Sequence, residues 1–222
     1  METANQIADW ISLLVIMSCL IISFVKRNNQ DLLPIQVYII TSFIFNFSAK
    51  IFDYHYKSLA NNHISEVVLN VFSLLEISIL YYFLLSRIKN SKFRIANKIL
   101  LLIYYSTCTI LWSIKKNSFF AFSPDLFGIE CILLVIPCFL YIHEILNSEL
   151  HINLNSDPNF IITCGILFYF SVSTPSYFSW YNLRLVAPGI LRLLILSNSI
   201  FYAILFFSFM KAYICTIPTL KR

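Results

Sequence analysis

Seven apolar runs, near residues 8–25, 33–52, 64–87, 95–114, 125–146, 159–178 and 185–211, follow one another along this chain with only short polar clusters between them. No other feature limits the fold as much. A helix rises 1.5 Å per residue and a bilayer's hydrocarbon core is about 30 Å thick, so each run has the length of one crossing. The separators are KRNNQD, YHYKSLANNH, RIKNSKFR, KKNSFFAFSP, NSELHINLNSDP and YNLR. Connections this short make consecutive helices antiparallel neighbours.

Composition agrees. Charged residues make up 12% of the chain and hydrophobic ones 59%, with a mean hydropathy of +0.75, whereas soluble domains carry about a quarter charged residues. The expectation is an all-α integral membrane protein, with residues 1–222 forming a single heptahelical domain and no room for a soluble one. The N-terminal segment carries Glu2 and Asp9 where a signal peptide would be basic, so it reads as a retained first helix. The six cysteines fall inside or beside apolar runs, without the loop spacing of a disulfide framework or a zinc site.

Orientation follows from the basic residues. With the N-terminus outside, ten Lys and Arg fall in the cytoplasmic set (Lys26, Arg27, Arg87, Lys89, Lys92, Arg94, Lys98, Lys211, Lys221, Arg222). Five fall outside (Lys50, Lys57, Lys115, Lys116, Arg184), and Arg192 lies within a run. The positive-inside rule therefore predicts N-out and C-in, and Trp10, Trp112 and Trp180 then form an outer aromatic belt. The net charge of +5 reads as flanking charge that interacts with lipid headgroups, not as a nucleic-acid surface.

Within the third run, LNVFSLLEISILYY places Glu76 about ten residues from either end. A carboxylate at that depth costs about 2.5–3.5 kcal/mol on insertion scales, so it must face the bundle interior, find a partner or be protonated. Asn70, Ser73 and Glu76 make a polar stripe on one side of the helix. Ranked by depth, Asn46 of the second run and Asn198 of the seventh are the expected partners, with Arg192 about 9 Å further outward. The predicted intramembrane cluster is thus Asn46, Asn70, Ser73, Glu76, Arg192 and Asn198, serving either as glue between helices or as a proton, cation or ligand site.

The fifth run offers a second face, Glu130, Leu134, Pro137, Tyr141 and Glu144. Glu130 and Glu144 are secondary candidates. They lie about 21 Å apart along the axis, too far to share one reaction. His55, His63 and His151 fall in connections and His143 adjoins Glu144, so no pair has metal-ligand spacing on one helical face; no metal, no catalytic residue and no cofactor is expected. A retinal protein needs a mid-helix lysine in its seventh span, where this chain has only Lys211 at the end. Three glycines, no GxxxG and no matching halves argue against a broken-helix transporter built on repeats.

The stretches LNVFSLLEISILYYFLLSRI, SDPNFIITCGILFYFSVST and LILSNSIFYAILFFSF, with Glu76, Asp157, Pro158, Gly165 and Asn198, resemble a widespread family of small bacterial seven-transmembrane-helix proteins. That resemblance implies a heptahelical architecture and a place in the bacterial inner membrane, and it carries no catalytic residues across. The function expected is a membrane sensor or signalling component acting through a partner protein at its cytoplasmic face. The alternatives are a small transporter or channel using Glu76 as a proton or cation site, and a membrane-embedded enzyme acting on lipid.

Overall fold

A computed structural model describes residues 2–26, 30–56, 64–114, 123–147 and 154–215. Arg27, Lys57, His63, Lys115, Lys116, His151, Lys221 and Arg222 lie outside the described residues. The described chain is α-helical apart from two single 3-10 turns: α1 (Glu2–Val25), α2 (Leu33–Tyr56), α3 (Ile64–Arg87), α4 (Ser91–Ile114), α5 (Pro124–Leu146), α6 (Pro158–Phe178), α7 (Trp180–Val186) and α8 (Pro188–Ile214). Six of these, α2 to α6 and α8, carry stretches long and apolar enough to cross a membrane, and α1 has a shorter apolar segment, Trp10–Val25. This is a multi-pass helical membrane protein.

Proline sets several of the starts. Pro34, Pro124, Pro158 and Pro188 sit in the first turn of α2, α5, α6 and α8, where a missing N–H breaks no helical bond. Asp157 caps α6 by accepting the Asn159 N–H at 3.1 Å. The expected seventh helix at 185–211 is corrected by the same chemistry. Pro188 cannot donate to the preceding turn and drives Ala187 out of the helical region, to φ −143° and ψ 68°. Leu185 and Val186 therefore end the separate two-turn helix α7, and α8 starts after the break and runs on to Ile214. At the other end of the chain α1 begins at Glu2, and α4 starts at Ser91 instead of residue 95.

Packing closes a ring. In order around it stand α1, α2, α3, α5, α6 and α8, with α8 returning to α1. The fourth helix is left outside against α5 and α3; 17% of its apolar window is buried, against 50% for α3 and for α5. It is pinned by Tyr81 Oη donating to Asn97 Oδ1 at 3.0 Å and by a 2.5 Å bond between the Ser78 and Tyr105 hydroxyls. Its opposite face, with Ile95, Ile99, Leu102, Ile103 and Ile110, is exposed, as expected of a helix bathed in lipid.

Burial along the ring is lopsided. The end at which α1 begins is called here the N-terminal end, and that at which α8 finishes the C-terminal end. Most of the largest fully buried side chains, among them Ile35, Tyr38, Leu84, Phe206 and Phe209, lie in the half of the bundle toward its C-terminal end. At that end Tyr213 donates to the Leu32 carbonyl at 3.1 Å, closing α8 on the start of α2. Gly165 lets α6 and α8 approach: a Cβ there would lie 2.7 Å from Ser208 Cβ.

Candidate functional site

Glu76 stands twelve residues into α3, about 18 Å from its start and close to mid-helix. It is buried, at 6% exposure. Tyr38 Oη, from α2, donates to Glu76 Oε1 at 2.6 Å. A carboxylate taken out of water without a donor is costly, and a hydrogen bond to a charged acceptor recovers about 1.5–3 kcal/mol. Tyr38 is itself fixed by rings, stacked on Phe206 with centroids 6.0 Å apart and edge-on to Phe209 at 5.8 Å. The hydroxyl is thus held in place by an aromatic layer that belongs to the densely packed half.

Glu130, from α5, is 1% exposed. The Ser73 hydroxyl donates to its Oε2, while its Oε1 is buried with no hydrogen-bond partner among the described residues. Ser73 and Glu76 are one turn apart on the same face of α3, where side chains three residues apart are about 5–6 Å from one another at Cβ. The two carboxyl groups therefore meet within about a helical turn, although they lie on different helices. Two ionised carboxylates so placed in a low-dielectric interior need a positive charge near them or a proton on one of them.

Both acids line a cavity of about 200 Å³ to which all six ring helices contribute. From α2 come Asn46 and Lys50, and from α8 Asn198 and Tyr202. Asn46 donates to the Ser42 carbonyl at 2.8 Å and reaches the Tyr202 hydroxyl at 3.4 Å. Asn198 Oδ1 accepts from Ser173 at 2.5 Å, and its amide reaches Tyr177 Oη at 3.4 Å. Tyr169 and Tyr202, with ring centroids 5.3 Å apart, complete the wall nearest the packed half. The residues lining the cavity sit in the N-terminal half or at mid-helix; the aromatic layer of Tyr38, Phe206 and Phe209 lies on the other side of Glu76.

Of the residues singled out from the sequence, Asn46, Glu76, Glu130 and Asn198 line this cavity. Ser73 joins it through Glu130, and Asn70 is buried one turn earlier on α3. Arg192 is exposed and does not line it. The six residues from Arg192 to Asn198 turn a helix through about 600°, so the two side chains leave α8 on different faces. Glu144 lies at the C-terminal end, where its carboxylate accepts the backbone N–H groups of Lys89 and Asn90 at 2.7 and 3.0 Å and so holds the connection between α3 and α4. It borders a larger basin of about 930 Å³, whose rim includes Arg87, Lys89, His143 and Asp157. Arg87 is anchored there, donating to the Asp31 carbonyl at 2.7 Å.

Tyr38 and Tyr202 carry neither a charge nor an amide, so neither stands out singly in an apolar run. A signal was present: Tyr38, Ser42, Asn46 and Lys50 recur every four residues and mark one polar stripe of α2. Tyr169, Ser173 and Tyr177 do the same on α6. No protein-family model, curated protein or solved structure matches this chain.

Proposed function

We propose that this protein is a seven-span membrane sensor that receives a small ligand in the two-carboxylate cavity and passes the signal to a partner protein at its cytoplasmic face. The observation that carries this reading is the lopsided burial of the ring. The cavity occupies the N-terminal half and reaches the middle of the bundle, and most of the largest fully buried side chains fill the other half beneath it. A pocket over a packed floor suits ligand binding from one side, whereas conduction needs a continuous path. In this reading α1 makes the seventh crossing, since it closes the ring between α2 and α8, and the chain sits N-out in the bacterial inner membrane. Trp10 on α1 and Trp180 at the start of α7 stand at the N-terminal end, as an outer aromatic belt requires.

The basin at the C-terminal end supports a partner at the cytoplasmic face. It gathers Arg87 and Lys89 with His143 and Asp157 where four helices start or finish, next to the basic stretch Lys92, Arg94 and Lys98. Such a mixed-charge recess offers oriented polar contacts to a protein surface, and the flanking bases also interact with anionic lipid.

Two buried carboxylates sharing one cavity favour a second reading, a proton- or cation-coupled transporter in which Glu76 and Glu130 exchange the coupling ion. Reconstitution separates the two. Proteoliposomes of the sensor should pass protons, Na⁺ and K⁺ no faster than empty vesicles. A flux that disappears in Glu76→Gln establishes the transporter instead.

A further inference from the structure

We propose that the cavity takes a small, singly charged organic ammonium ion, its N–H groups held between Glu76 and Glu130 and its carbon skeleton against the aromatic wall. The proposal rests on the sensor reading for its setting and goes further by naming the chemistry of the ligand. Its starting point is Glu130. This side chain is almost completely buried, yet only one of its oxygens is satisfied, by Ser73; Oε1 has no hydrogen-bond partner among the described residues. Buried carboxylate oxygens are expensive to leave unpaired, so this one calls for a donor that the described residues do not supply.

Charge narrows the choice. Of the acidic and basic residues, Glu76, Glu130 and Lys50 line the cavity, for a formal balance of −1 when both acids are ionised. A monocation neutralises it, and an anion is repelled. Tyr38 occupies Glu76 Oε1 from the floor, so an incoming donor meets the carboxylates from the cavity side.

The walls decide between a metal and an organic cation. Hard metal ions take six or more oxygens, and the described residues hold no group of three His, Cys, Asp or Glu that could bind a metal. The wall is aromatic instead, with Phe72, Phe127 and Phe170 alongside Tyr169, Tyr177 and Tyr202. Ring faces attract ammonium groups and pack against alkyl chains. Phe127 and Tyr177 are stacked with centroids 5.5 Å apart and close the side toward α5 and α6. A volume of about 200 Å³ leaves room for an amine of a few carbons.

The test uses the full chain purified in detergent, with n-propylammonium chloride as the probe and n-propanol, NaCl and KCl as controls at matched concentration. Propylammonium should raise the melting temperature saturably and show one site by calorimetry, while the three controls should not. Glu130→Gln should weaken binding by about tenfold or more, the loss of one charge-assisted contact. Leu69→Trp keeps both carboxylates but fills the cavity from α3, and it should abolish binding; Glu144→Gln, at the opposite end of the bundle, should bind as the unaltered protein does. If Glu130→Gln fails to fold, Leu69→Trp carries the test. Equal stabilisation by NaCl or KCl, equal stabilisation by propanol, absence of saturation, or unchanged binding in Leu69→Trp overturns the proposal. Ion flux in proteoliposomes together with propylammonium binding removes the sensor reading and leaves the ligand class standing. No binding and no flux does the reverse.

Discussion

Tyr38 Oη and Glu76 Oε1, 2.6 Å apart, join α2 to α3 at the boundary between the packed half of the bundle and its cavity. The hydroxyl faces the acid from the sealed side, held there by Phe206 and Phe209. Glu76 is therefore part of the floor as well as part of the site.

Tyr38→Phe isolates the hydroxyl from the ring. Phenylalanine keeps the stacking on Phe206, so the change removes one hydrogen bond to a buried carboxylate, worth about 1.5–3 kcal/mol. Denaturant or thermal unfolding in detergent should report that loss. A variant as stable as the original shows that Glu76 does not depend on this donor.

Close approach of α6 and α8 makes Gly165→Ala costly. The new methyl would lie 2.7 Å from Ser208 Cβ and 2.8 Å from its hydroxyl, well inside van der Waals contact, so overpacking of about 1–3 kcal/mol is expected. Ser208→Gly in the same chain should restore most of it. Gly189→Ala is the control: nothing lies within 4 Å of a Cβ there, and alanine in the first turn of α8 should be neutral or slightly stabilising.

The hold of Glu144 on the α3–α4 connection predicts a local effect. Glu144→Ala leaves the Lys89 and Asn90 amides without their acceptor, which should cost about 1 kcal/mol and speed hydrogen exchange at residues 89 and 90. Exchange in the middle of α3 should not change. Uniform acceleration throughout the bundle would contradict this local role.

Orientation is testable with an impermeant thiol reagent on a cysteine-free background. In intact cells Lys116→Cys should react and Lys92→Cys should react only after permeabilisation. The opposite pattern would put the cavity on the cytoplasmic side and require the signalling direction to be reversed.

Several features could be read directly from the sequence because they depend on local chemistry. Hydropathy alone marks the long helices, since a bilayer tolerates backbone only where it bonds to itself, and the bounds of α3, 64–87, coincide with its apolar run. Depth is equally local: counting residues puts Glu76, Asn46 and Asn198 near mid-helix, and all three line one cavity. Glu130 was harder, because its partner is on another helix. Tyr141 and Glu144 share its face of α5 by spacing, whereas Glu144 holds the α3–α4 connection.

The sequence by itself determined that this chain is a bundle of apolar helices with an acid buried near the middle of one of them, because helix formation and membrane depth follow from hydrophobicity and 1.5 Å per residue. Only the tertiary structure decided which helices are neighbours. Ring closure by α1 and α8, the exclusion of α4, and the meeting of Glu76 with Glu130 and Tyr38 depend on the rotation of each helix about its axis and on side-chain volume at each contact. Apolar helices advertise little of that rotation in their own sequence, since nearly every face is suited to lipid.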